Sequence, residues 1–131
     1  MLTTNLSTSD FSGANVRVYD VLTLDPTGSK RAVAGLALGL QQLLTISHQK
    51  VGRGKNAAGN PVYADRHLIR FDDVKTNADG IEKVLTCYTV LEVPRDALFS
   101  VTDVQSFTGR TNTLLNGSSF ANLLKILNNE S

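Results

Sequence analysis

The chain predicts an α+β fold, about five or six antiparallel strands followed by two helices, and three observations predict it. Between Val16 and Pro94 apolar and polar residues alternate with period two. Clusters of Gly, Pro, Asp and Asn punctuate that stretch at hairpin intervals. Beyond Pro94 the apolar spacing changes to three and four. Strands and helices so separated along the chain give a layer of each. A length of 131 residues suits one domain (1–131), and 41% hydrophobic residues suffice for a core without covalent staples.

Residues 1–15 are polar and aperiodic and read as an arm that is ordered only when docked. In the hairpin of 16–34, Val16, Val18, Leu22 and Leu24 share one face, and Arg17, Tyr19 and Thr23 the other. Asp25-Pro26-Thr27-Gly28 supplies the turn. The sheet proper spans 36–94. Gly35–Leu40 reads as a short strand or an extended link, since its two glycines weaken a helix. Gln41–Lys50 alternates, then Val51–Pro61 reads as a long hairpin loop because three glycines and a proline oppose both helix and ladder. Tyr63–Lys75 and Lys83–Val93 are further strands, joined by a polar turn around Asp79-Gly80. Helices follow over 100–128. Ser100 or Thr102 caps the first, which carries Val104, Phe107, Leu114 and Leu115. Asn116-Gly117 breaks it, and Ser119 caps a second carrying Phe120, Leu123, Leu124 and Leu127. Two short helices cover a sheet of this extent poorly, which predicts dimerisation with helices crossing to the partner's sheet.

Several function classes are disfavoured. The N-terminus lacks the basic start and apolar stretch of a secretory signal, no segment is apolar for the length of a membrane span, and the lone cysteine forms no internal bridge. A soluble protein of a reducing compartment is expected, without membrane partner, cofactor or metal. Cys87 shares parity with Leu85 and Leu91 and reads as a small buried hydrophobe. Gly52-x-Gly54-x-x-Ala57 only superficially resembles a dinucleotide fingerprint, because a strand follows where a helix must receive the phosphate. His48 and His67, with Asp65, Asp72 or Asp73, are the available acid–base set, and they define the alternative of a small dimeric α+β enzyme or ligand-binding domain.

The net charge of +1 hides an uneven distribution: Lys50, Arg53, Lys55, Arg66 and Arg70 lie between His48 and Arg70, opposed only by Asp65. Residues two apart on a strand share a face, so Arg66, Leu68 and Arg70 point together. With strands in register, Thr45, Ser47, Gln49, Thr86 and Tyr88 join them. Guanidinium groups for phosphates, hydroxyls and an amide for base edges, and an aromatic ring for stacking suit single-stranded RNA. An ordinary solvated sheet face has a similar composition.

In this order the chain resembles the coat proteins of the single-stranded RNA bacteriophages, the levivirus group. The resemblance rests on Thr45-Ile46-Ser47, the basic Gly-rich hairpin, Arg66–Asp72, the run Thr86–Pro94 closing on proline before the helices, and the two-helix tail around Asn116-Gly117. It covers roughly residues 16–128, in layout more than identity. It implies an N-terminal hairpin, a five-stranded antiparallel sheet continuous across a homodimer, and two helices interlocking with the partner through Phe107, Leu114, Phe120, Leu123, Leu124 and Leu127. It further implies an icosahedral virion shell around genomic RNA, with the subunits made in the bacterial host cytoplasm, and no enzymatic activity or small-molecule substrate.

An RNA hairpin on the inner face, bound for translational repression and packaging, would contact Thr45, Ser47, Gln49, Arg53, Lys55, Arg66, Arg70, Thr86 and Tyr88. Thr45 and Ser47 match the family's Thr-x-Ser contacts. Gln49 stands where a basic residue is common, and Tyr88 is one pleat from the family's stacking tyrosine. Lys75, Thr76, Asn77, Ala78, Asp79 and Gly80 match the loop between neighbouring dimers; without cysteine there, those contacts would be noncovalent.

Overall fold

The computed structural model describes residues 4–10, 12–96 and 98–128, so residues 1–3 and Phe11 of the expected arm lie outside the described residues. Two compact units divide the chain, Met1–Glu92 and Val93–Ser131. The first holds one six-stranded sheet in simple sequence order: β1 (Leu6–Ser9), β2 (Val16–Asp25), β3 (Gly28–Val33), β4 (Gln42–Lys55), β5 (Pro61–Thr76) and β6 (Glu82–Pro94). Five strands beyond a separate hairpin were expected. Instead the hairpin β2–β3 continues into the sheet through Arg31↔Leu44 and Ser29↔Ile46, and the arm contributes β1 by pairing Leu6 with Tyr19 and Ser9 with Val16.

Tyr19, Leu44 and Ile46 form the buried centre, with Leu6, Val33, Ile69 and Phe71 packed around it. Tyr19 meets Phe71 edge to face at 5.9 Å between ring centroids, a favoured aromatic geometry. The register explains this grouping. Leu44 opposes Phe71 and Ile46 opposes Ile69, so the apolar positions of β4 and β5 share one face. Buried Arg31 belongs to that face too, donating to the Thr4 carbonyl at 2.6 Å and from Nε to Ser29 Oγ at 3.2 Å.

Four local expectations are corrected. In β2, Val16, Val18, Leu22 and Leu24 are exposed and Tyr19 is buried, because the Tyr19 side of the strand packs with Leu44, Ile46 and Phe71 on one face of the sheet; a bulge between Val21 and Thr23 then shifts the register. Gly35–Leu40 ends in a single 3-10 turn, Leu38–Leu40. The expected loop Val51–Pro61 is mostly ladder: β4 runs to Lys55, and only Asn56–Asn60 turn, with the Asn56 side chain accepting from the Ala58 and Asn60 amides. Glycine lowers strand propensity without forbidding pairing, and the irregularity between Gly52 and Lys55 absorbs the mismatch. Finally, Cys87 is exposed, as is every residue of β6 from Glu82 to Val90, because β6 is the edge of the sheet.

The second unit carries α1 (Val101–Leu127). Ser100 caps it in a reciprocal box with Asp103, whose carboxylate is held below the ordinary range by the Ser100 hydroxyl and amide. The break expected at Asn116-Gly117 falls two residues later, where Ser119 and Phe120 take positive φ of 56° and 65° and divide the span into two helical segments. Phe107, Leu114, Leu124 and Leu127 are exposed in the single chain; Phe120 and Leu123 are half-buried.

Candidate nucleic-acid interface

The pairing of β4 with β5 sets Thr45 opposite Arg70, Ser47 opposite Leu68 and Gln49 opposite Arg66. These positions alternate with the buried Leu44 and Ile46, so they occupy the opposite face of the sheet. Side-chain bonds bring β6 onto the same face. Thr86 donates to Asp72 Oδ1 at 2.6 Å, and Arg66 Nε donates to Glu92 Oε1 at 2.5 Å. Advancing six residues from Thr86 to Glu92 corresponds to retreating six from Asp72 to Arg66, as antiparallel strands require. Tyr88 has the parity of Thr86 and Glu92, shares their face, and is strongly exposed. The structure therefore gathers Thr45, Ser47, Gln49, Arg66, Arg70, Thr86 and Tyr88 on one surface of three strands. Arg53 joins them through an ion pair with Glu92. Lys55 lies exposed at the end of β4.

Two acidic residues absent from the sequence-derived site organise this surface. Glu92 holds both Arg53 and Arg66, and Asp72 holds Arg70 at 2.9 Å while accepting from Thr86. Three guanidinium groups thus face two carboxylates. Parity offered a signal for both: Asp72 is two residues from Arg70, and Glu92 four from Tyr88.

On the opposite face Arg17 Nη1 pairs with Asp73 Oδ1 at 2.8 Å, and the carboxylate strengthens the guanidinium's hold on its proton. That pair borders a hollow of about 590 Å³ lined in part by Tyr19, Phe71, Leu85 and Cys87. His48 and His67 also meet on this face, Nδ1 to Nδ1 at 2.9 Å. Asp72 and Asp73 are engaged by arginines on β5 and β2, so neither orients the histidines as an acid–base set would require. The Lys75–Gly80 segment is exposed, its first two residues ending β5 and Asn77–Gly80 forming the turn: Asn77 Oδ1 accepts from the Asp79 and Ile81 amides, and Thr76 Oγ1 donates to the Gly39 carbonyl.

The architecture, one antiparallel sheet in sequence order followed by a broken helical span, is that of chains forming bacteriophage virus-like particles. The chain superposes on the virus-like particle of bacteriophage AVE019 with a TM-score of 0.68 at 10% identity, covering 95% of both chains. Against that of Beihai levi-like virus 21 the values are 0.61 and 18%, covering 100% of this chain and 97% of the other. For bacteriophage ESE058 they are 0.60 and 12%, with 97% of each chain covered. No protein-family model and no curated protein sequence matches the chain.

Proposed function

We propose that the protein is a non-enzymatic coat subunit that dimerises, assembles into a closed shell and binds RNA on the Thr45–Arg70 face. The observation that carries this reading is the near end-to-end likeness of fold to chains of virus-like particles. Dimerisation is supported by what a single copy leaves uncovered. The 13-residue edge strand β6 exposes Val84, Leu85, Tyr88 and Val90. A long apolar edge with free backbone groups is an aggregation hazard unless another strand covers it. Pairing β6 with its copy makes the sheet continuous, and the apolar side chains Phe107, Leu114, Leu124 and Leu127 then find cover on the partner. Phe120 and Leu123 extend the same contact. The exposed Lys75–Gly80 segment, its turn braced by Asn77, is suited to contacts between dimers.

RNA binding is supported by the grouping of hydroxyls, an amide, a tyrosine and three guanidinium groups on one face. Bound phosphates would compete with Glu92 and Asp72 for the arginines. A hairpin able to contact several strands at once is thereby favoured over unstructured RNA, and repression and packaging follow from such selectivity. Expression of the full chain in bacteria, followed by nuclease treatment and sedimentation, tests the reading. Nuclease-protected RNA should sediment with the protein. Folded protein that sediments as a small species free of RNA overturns it.

A further inference from the structure

On the face opposite the arginines, the register sets His48 directly across from His67. The His48 amide bonds to the Thr27 carbonyl on the β3 side, so toward β5 this is a non-hydrogen-bonded pair, the type whose side chains approach most closely. The rings reach 5.1 Å between centroids and 2.9 Å between Nδ1 atoms. One Nδ1 must donate to the other, so the second already directs a lone pair into the gap between the strands.

We infer that His48 and His67 form a two-imidazole chelate for a divalent first-row transition cation, with Cu(II) preferred. Metal–imidazole bonds of about 2.0–2.1 Å across the observed nitrogen separation subtend an angle of about 90°. That is the cis angle of a tetragonal site, whereas a tetrahedral ion needs its nitrogens about 3.3 Å apart. Turning the rings toward a common point is a rotation about χ2, whose wells are broad for histidine. The neighbouring cation is drawn aside: Lys50 Nζ lies 3.7 Å over the Tyr63 ring. Asp65 lies two residues from His67 on the same face of β5, opposite Lys50. Two imidazoles are the whole protein ligand set, since among the described residues no group of three metal-binding side chains exists, and water completes the coordination. The bound cation clips β4 to β5 where the hairpin leaves the buried part of the sheet. The reading is independent of RNA binding, which uses the other face.

The probe is Cu(II) titrated into chelator-stripped full-length protein near pH 7.5, read by electron paramagnetic resonance and by melting temperature. One saturating Cu(II) per chain with hyperfine structure from two imidazole nitrogens is expected, together with a raised melting temperature. His48→Gln and His67→Gln should each abolish that signal while far-ultraviolet circular dichroism reports an intact fold. A one-nitrogen spectrum from the unsubstituted protein overturns the proposal without recourse to any variant. So does saturation unchanged in either glutamine variant.

Discussion

Replacing Glu92 by glutamine isolates the role of the carboxylate on the arginine face. The side chain keeps its shape and loses its charge, releasing Arg53 and Arg66 from their shared partner. The net charge of the five-residue set Arg53, Arg66, Arg70, Asp72 and Glu92 rises from +1 to +2. Pairs this exposed are worth about 0.2–1 kcal/mol each, so two that need not be broken raise affinity for unstructured RNA about 2- to 30-fold. Each further phosphate neutralised steepens the logarithmic salt dependence by about 0.7 for a single strand, giving a change of about 0.7–1.4 if both arginines engage. Fluorescence anisotropy with a labelled oligouridine across a sodium chloride series measures both quantities. Arg66→Ala in the same series should shift them the opposite way. An E92Q protein with unchanged or weaker affinity and an unchanged slope refutes the idea that Glu92 competes with phosphate.

Leu127→Ala should shift the monomer–dimer equilibrium by about 2–5 kcal/mol, read by analytical ultracentrifugation, because in the proposed dimer this side chain, 68% exposed in one copy, packs against the other. Gly28→Ala should yield little folded protein, since a Cβ there would stand 2.1 Å from the Ile46 carbonyl oxygen and 2.9 Å from Ser47 Cα; wild-type thermal stability in this variant contradicts the close β3–β4 approach. Asp10 should titrate near 2 by NMR, held down first by the Asn15 amide and then by Ser12. Its folded value lies below the ordinary 3.8, so its stabilising effect is complete above that pH and is lost as pH falls toward 2; a midpoint at 3.8 contradicts the bonded loop.

Alternation made β4, β5 and β6 legible, and parity alone placed Thr45, Ser47, Arg66, Arg70, Thr86 and Tyr88 on one face. The change of period after Pro94 located the helices, and Ser100 with Asp103 marked their start. What escaped was set by pairing across the chain. Leu6–Ser9 is too short and polar to announce itself as a strand and becomes one by bonding to β2. Tyr19 is buried because its side of β2 meets Leu44, Ile46 and Phe71 from strands distant in the chain, which its local pattern does not encode. The meeting of His48 with His67 depends on a register fixed by the Asn56–Asn60 turn, nineteen residues being far outside any local metal spacing. The partnership of Glu92 with two arginines required the order β4-β5-β6. Local periodicity carries faces; only tertiary register carries neighbours.

Electron microscopy of the full-length protein expressed alone tests the central claim most directly. The coat-subunit account predicts closed particles of uniform diameter, with the arginine face of each sheet toward the interior and β6 paired with its copy across every dimer axis. Folded protein that stays a monomer or discrete dimer across salt and pH, with no closed particles, would contradict it.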